Sequence, residues 1–386
     1  MLVTLCKWME ANGWIGHDWI IGNIVFRSAL AILFSFITVL LIGGKTIRWL
    51  MTKKLGDNPE FYLAKLNDLT KNKRNTPTMG GIMIILAIVI NSLIFADWGN
   101  FYVRMALFCT IYLSILGGVD DWLKLTQARR TPGSREGLFA WEKMVFQVGL
   151  GVILGIFIYN YGGAAAGMPV VEKPTDLVLP VSAHKLNWPF FRDLALAGWF
   201  FYVLTVIVIT GSSNAVNLTD GMDGLASGCM VVVSISFMAL VCATGIKDVA
   251  DKLNFYFLPH TAELAVVCGA IAGSCLGFLW FNCNPAQVFM GDTGSLALGG
   301  VIGYVAIVIR QEPMLLLIGG IFVLEAVSVM MQVGYFRMTG GKRIFLCSPI
   351  HHHFHLKGWS EQQVVVRFWL ISALCAAFGL ATVKIR

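Results

Sequence analysis

Five short stretches hold most of the side chains capable of chemistry in this chain of 386 residues. Gly118-Val119-Asp120-Asp121-Trp122 sets two carboxylates side by side at the end of an apolar run. Adjacent acids repel each other, and a helix ending there would also place them at its negative dipole end. The plain reading is two solvated loop acids. The chemical reading is a pair with split pKa values, one acid poised as a base or beside a magnesium ion. In Asn214-Ala215-Val216-Asn217-Leu218-Thr219-Asp220-Gly221-Met222-Asp223-Gly224, the residues Asn217, Asp220 and Asp223 are spaced by three and share one face of a helical turn. Gly221 and Gly224 permit close approach of a ligand. Asp223 could instead cap the next helix.

Phe289-Met290-Gly291-Asp292-Thr293-Gly294-Ser295 offers Asp292, again either a helix cap or a cation ligand. Several carboxylates without a cysteine partner suit a hard, oxygen-loving cation, Mg²⁺ above all. Ser348-Pro349-Ile350-His351-His352-His353-Phe354-His355 gathers four of the chain's seven histidines. Consecutive histidines lack the spacing of a helical zinc pair, so donors to phosphate or sugar oxygens are preferred and zinc stays open. The fifth stretch is basic, Lys71-Asn72-Lys73-Arg74 leading into Thr76-Pro77-Thr78-Met79-Gly80-Gly81. With Lys124, Arg129, Arg130, Arg135 and Lys143 it surrounds the acids with cations. Those cations serve topology, anionic lipid or bound phosphate.

The elements that must position these stretches are membrane helices. With 57% hydrophobic and 13% charged residues and a mean hydropathy of +0.72, the chain cannot present a water-facing surface all round. Apolar runs long enough to span occur at about 24–44, 79–97, 103–119, 141–161, 195–211, 225–245, 261–281, 295–310, 313–335 and 364–383. The expected fold is therefore an all-α polytopic membrane protein of about ten transmembrane helices, one domain over 1–386. The first run is long enough to remain as an anchor, and no cleavable signal peptide is expected before it. The nine cysteines form no CxxC and are expected reduced and buried in helices.

The net charge of +7 is read as topology, not as a nucleic-acid surface. Of the 29 Lys and Arg, 17 fall in alternate loops: eight in 45–78, five in 120–143 and four in 336–363. The positive-inside rule makes those loops cytoplasmic and both termini periplasmic. The segment 162–194 then becomes a periplasmic hairpin or lid. Every unusual polar cluster lands on the cytoplasmic face, although only lysines and arginines set the topology. A transporter would place its acids near mid-helix; only Glu325 does so here, and it has no evident partner in sequence.

The segments TPTMGG (76–81), VDDWLK (119–124), NAVNLTDGMDGLA (214–226), VFMGDTGS (288–295) and PIHHHFHLKGW (349–359) together resemble the phospho-N-acetylmuramoyl-pentapeptide-transferase family. That family is a branch of the polyprenyl-phosphate N-acetylhexosamine-1-phosphate transferases. The resemblance implies that undecaprenyl phosphate attacks UDP-MurNAc-pentapeptide with Mg²⁺ as cofactor, giving lipid I and UMP. It places the reaction in the bacterial inner membrane and allows a homodimer. It implies Asp292 as metal ligand and Asp120 as base, with Asp121 beside it. Asn217, Asp220 and Asp223 would line the diphosphate site, Phe289 would stack on uracil and Gln332 would bond near it. His351, His352 and His353 would contact sugar or phosphate; Lys73, Lys124 and Lys143 would hold anions; and Thr78 would join the substrate contacts. The sequence departs from the family at Asn75 (usually glycine) and at His355 (usually glutamate), and 125–142 and 162–194 look long. A sister transferase using UDP-GlcNAc remains the alternative within the superfamily.

Overall fold

The computed structural model describes residues 1–14, 20–53, 76–130, 137–164, 185–186, 194–195 and 198–383. Lys73, Asn75 and most of 162–194 lie outside the described residues. The helices are α1 (Leu2–Ala11), α2 (Ile24–Thr52), α3 (Gly81–Phe95), α4 (Phe101–Arg130), α5 (Ala140–Ala164), α6 (Gly198–Thr219) and α7 (Leu225–Gly245). They continue as α8 (Lys247–Leu253), α9 (Leu264–Asn282), α10 (Gly291–Val308), α11 (Glu312–Ile318), α12 (Gly320–Met338), α13 (Ile350–Leu356) and α14 (Glu361–Thr382). β1 (Lys185–Leu186) and β2 (Leu194–Ala195) form one short antiparallel pair.

Among the described residues, nine helices are long and apolar enough to cross a membrane, and the shorter apolar α3 supplies the tenth run expected from sequence. The protein is a multi-pass membrane protein. Caps fix several entries. Asn23 accepts from the amides of Val25 and Phe26 at the start of α2, and Ser360 with Gln363 forms a capping box on α14.

Two helices form the centre. The apolar windows of α9 and α10 are 78% and 94% buried, whereas those of α2, α5, α12 and α14 are only 28–33% buried and form the outer ring. In lipid, apolar contact between helices gains little by itself, so close backbone packing must supply the cohesion. On α9, Gly269, Gly273 and Gly277 recur every fourth residue and face the α2 backbone at Ser28, Ile32 and Phe36. A methyl group at Gly273 would run into the Ile32 carbonyl, so only glycine permits this approach.

The bundle has two chemically distinct ends. At one, Arg27 donates to both oxygens of Glu263 (2.8 and 2.7 Å) and to the Phe95 carbonyl (2.9 Å), and Glu263 also accepts from the Asp97 amide. The α-amino group of Met1 bonds the Leu93 carbonyl near the same end, and Thr382 meets Met314 just after α10 finishes. Both termini thus share this end. The motif loops occupy the other.

All nine cysteines are free. Cys109, Cys229, Cys268 and Cys275 are buried as expected, but Cys283 is exposed and Cys347 lies in a loop rather than a helix.

Candidate active site

The start of α10 is where the site is built. The first amides of a helix have no partner within it and carry its positive dipole end. Here three of them point at acids from other helices. Asp220, just beyond α6, accepts from the Gly291 amide. Asp121, on α4, accepts from the amides of Asp292 (3.1 Å) and Thr293 (2.9 Å) and from the Thr293 hydroxyl (2.7 Å). Asp292 sits within this first turn and does not cap it, so its alternative reading as an N-cap is ruled out. The capping acid is Asp121, supplied from another helix.

Asp292 instead turns toward its neighbours. Its Oδ1 accepts from the Asn217 side chain (2.7 Å), and its Oδ2 accepts from Lys143 (2.8 Å) and Lys124 (3.1 Å). The same two lysines lie 2.6 Å from Asp120 Oδ2, while Asp120 Oδ1 accepts from the Leu138 amide (2.7 Å). Two ammonium groups therefore bridge two carboxylates. Thr78 stands over Gly291 beside Asp121. Gly291 has φ +73°, and a Cβ there would press on both Thr78 and Asp121, so the turn into α10 requires glycine.

Oxygens of Asp120, Asp121 and Asp292 all lie within 4.8 Å of one another. Opposite ligands on one Mg²⁺ stand roughly 4 Å apart, so a small closure would let a single ion reach all three. The donor chemistry fits, since every candidate ligand is a hard oxygen. The charge fits as well. Four carboxyl groups (Asp120, Asp121, Asp220, Asp292) crowd two lysines, more acid than the two lysines can neutralise if all four ionise. That excess shows at Asp220: desolvation, then the charges of Asp292 and Asp121, push its pKa well above the ordinary carboxylate range.

The structure also alters the sequence reading. α4 does not end at the acids but runs on to Arg130, so the negative dipole end expected at Asp120 and Asp121 is absent. The triplet of Asn217, Asp220 and Asp223 splits. α6 ends at Thr219, Gly224 turns the chain with φ +80°, and Asp223 instead accepts from Asn284 (3.1 Å) and the Ala286 amide (3.0 Å). Gly224, not Asp223, occupies the cap position of α7. Gln332 is also diverted: its oxygen accepts from the amides of Ile344 and Phe345 and its nitrogen donates to the Phe345 carbonyl. The amide assigned to the nucleotide therefore fastens the loop that leads to the histidines. Phe289 is held by its backbone, donating to Pro77 and accepting from Gly80, with its ring half-buried.

With this geometry in view, the known relatives can be placed. Residues 103–310 match the glycosyl transferase family 4 model, and residues 73–85 match phospho-N-acetylmuramoyl-pentapeptide-transferase signature 1. The chain is 42% identical over 369 residues, 94% of each sequence, to the phospho-N-acetylmuramoyl-pentapeptide-transferase of Desulfotalea psychrophila. The transferases so named from Rickettsia bellii and Oleidesulfovibrio alaskensis are each 41% identical, again over 94% of both chains. The chain belongs to the phospho-N-acetylmuramoyl-pentapeptide-transferase family.

For this member of the transferase family, sequence reasoning left one buried acid unassigned. Glu325, mid-helix in α12 and fully buried, stands 3.1 Å from Nδ1 of fully buried His351. His351 Nε2 lies against Gly221, where a side chain would collide with the ring. Glu325, His351 and the Gly221 turn thus form one stack. The signal in sequence was only that an acid inside a span needs a partner. His352 packs on His351 at 4.1 Å, and His353 accepts from the Leu346 amide through Nδ1 (3.1 Å). The histidines are spread over several contacts rather than gathered on one ion. Glu325→Ala should destabilise the transferase by about 1–3 kcal/mol, because the buried imidazole loses its partner; thermal unfolding in detergent checks this.

Gly117 gives a second test of the site. It faces the Asp292 carbonyl, and a methyl group there would overlap that oxygen. Gly117→Ala should leave membrane insertion intact and lower turnover about a hundredfold, since displacing a reactive group by about 1 Å has that scale of effect. Kinetics on purified variant and wild type read it directly.

Proposed function

We propose that this chain transfers phospho-MurNAc-pentapeptide from UDP-MurNAc-pentapeptide to undecaprenyl phosphate, forming lipid I and releasing UMP at the cytoplasmic leaflet of the bacterial inner membrane. One observation carries this reading. α4, α5, α6 and α10 bring Asp120, Asp121, Asp220, Asp292, Lys124 and Lys143 to a single point at one end of a membrane bundle. Phosphoryl transfer asks for charge neutralisation and positioning more than for covalent chemistry. A lipid nucleophile requires that the point lie where bilayer meets water.

An oxygen of the lipid phosphate forms the new bond to the sugar-bearing phosphorus, and the bond from that phosphorus to UMP breaks. Asp292 would hold Mg²⁺, with Asp120 and Asp121 close by, and the ion would supply charge neutralisation of the diphosphate. Lys124 and Lys143, now shared between two carboxylates, would turn to phosphate oxygens as anionic substrates enter. Asp120, once released from the lysines, takes the remaining proton of the lipid phosphate. Asp121 is a positioning residue, fixing the first turn of α10. Asn217 orients Asp292, and Asp220 faces the diphosphate. Phe289 stacks on uracil, and Thr78, Lys73 and the histidine loop complete the substrate contacts. Asp223 and Gln332 act by holding loops.

Asp220 supplies a pH signature. Its raised pKa means that it keeps a proton to higher pH than an ordinary carboxyl, and a cation favours the ionised form. Mg²⁺ should therefore bind more tightly as pH rises through that pKa and release protons on binding. Calorimetry in buffers of differing ionisation enthalpy measures the release.

The sister reading keeps the chemistry and changes the sugar. Mass spectrometry of the lipid product after incubation with each nucleotide sugar separates the two. Expected is product from UDP-MurNAc-pentapeptide; product from UDP-GlcNAc alone would overturn the assignment. The periplasmic position of both termini rests on the Lys and Arg asymmetry, and protease access to terminal tags in oriented vesicles tests it.

A further inference from the structure

α5 stands in the outer ring, leans on α6 far more than on α4, and meets α6 along one face. Lys143, Gln147, Gly151 and Gly155 follow one another on that face at every fourth residue. A Cβ at Gly151 would press on the Val206 backbone, and one at Gly155 would touch Tyr202 and Thr205. A seam of small residues lets two helices approach closely within a membrane, but it supplies no directional bond.

Gln147 is where the seam becomes directional. It is fully buried, and both ends of its carboxamide are used. Its Nε2 donates to the Ser213 hydroxyl (3.2 Å), and its Oε1 accepts from the Asn214 side chain (2.7 Å). Ser213 carries the tie on to α10 by donating to the Leu296 carbonyl (2.9 Å). The same three helices meet at the acid cluster. Lys143 lies four residues before Gln147, Asn217 four after Ser213, and Asp292 four before Leu296. A second polar layer thus repeats the first, one helical turn deeper in the bundle.

The position of α5 matters most at Asp120. Leu138, just before α5, gives Asp120 its amide (2.7 Å), and Lys143 gives its ammonium (2.6 Å) while also holding Asp292 (2.8 Å). A flexible lysine stem can follow a small slip of its helix; a backbone amide cannot. Stability is a weak reason for the layer. Without Gln147, Ser213 keeps the Leu296 carbonyl and the Asn214 side chain keeps the Thr210 carbonyl (2.8 Å), so neither donor is stranded.

We propose that Gln147 is a positioning residue for the transfer, setting the register of α5 on α6 so that Leu138 and Lys143 meet Asp120 and Asp292 correctly. The inference rests on the transfer reading above. Fixing register between helices is the best-attested use of a single buried polar side chain, because packing alone tolerates several registers.

The test couples Gln147→Leu to a covalent register lock. A Cβ on Gly155 stands 3.5 Å from the Thr205 Cβ, within the span that a disulfide bridges. Gly155→Cys with Thr205→Cys can therefore join α5 to α6 about two turns from Gln147. With these cysteines reduced, Gln147→Leu should lower kcat about thirtyfold, the scale of a reactive group displaced by less than about 1 Å. The KM of each substrate should move by no more than about threefold, and unfolding in detergent should stay close to that of the parent. Oxidation should return kcat to within about threefold of the oxidised parent that keeps Gln147, and dithiothreitol should remove the gain. Peptide mass mapping identifies the 155–205 bond, and oxidised wild type controls for the native cysteines. Unchanged kcat in Gln147→Leu would overturn the inference. A loss that persists with the bond formed would overturn it too, since register would then not be what Gln147 supplies. Both results leave UMP release by wild type standing, whereas wild type that releases no UMP with undecaprenyl phosphate would sink the transfer reading itself.

Discussion

Asp292→Asn should lower turnover about a thousandfold or more while leaving the fold intact. Asp292 is the convergence point of the site, holding Asn217 on one oxygen and both Lys124 and Lys143 on the other. The carboxamide keeps the shape and removes the charge. Losing a cation ligand and the partner of two lysines costs several kcal/mol of transition-state stabilisation, and each 1.4 kcal/mol is a factor of ten. The variant should also need far more Mg²⁺ for its residual activity. A full Mg²⁺ response at wild-type concentrations would place the metal elsewhere. Thermal unfolding should change little, because Asn217, Lys124 and Lys143 are each near water or other partners.

Asp121→Asn should behave differently, damaging stability and turnover together. The carboxylate accepts three hydrogen bonds from the first turn of α10, and it is buried. An amide offers one acceptor oxygen and turns an NH₂ group toward the donors. Bonds to a charged acceptor contribute about 1.5–3 kcal/mol each, so a loss on the order of 3 kcal/mol is expected. Turnover should fall about a hundredfold, because Asp292 is carried on the turn that Asp121 fixes. The contrast between the variants separates a group acting on substrate from one acting through another residue. Equal unfolding temperatures for Asp121→Asn and wild type would remove the positioning role.

The side chains that converge were visible in sequence because their chemistry is local. Asp120, Asp121, Asn217, Asp220 and Asp292 each sit in a polar motif bordering an apolar run, and the lysine bias put all of them on one side. Lys143, whose register was blurred by the long 125–142 link, proves to be as close to Asp120 as Lys124 is. What sequence could not give depends on chain direction and distant partners. Hydropathy marks only the apolar part of α4, so its polar continuation to Arg130 went unseen. A spacing of three predicts a shared face only while the helix persists, and the turn at Gly224 sends Asp223 to Asn284 instead. Glu325 meets a histidine 26 positions later, a pairing that no local pattern announces. Gln332 is similar, since its loop partners at 344 and 345 depend on how the chain returns after α12.

The claim that matters most is that Asp292 holds one divalent cation at the start of α10, with Asp120 beside it as base, Asp121 fixing the turn and two lysines as reserve charge. Electron paramagnetic resonance of Mn²⁺ titrated into the purified protein, with UDP-MurNAc-pentapeptide present, counts the ions bound. Wild type should bind one ion per chain in an all-oxygen environment, and Asp292→Asn should lose it over the same concentration range. Equal Mn²⁺ binding by the two proteins would contradict a metal centre at the start of α10.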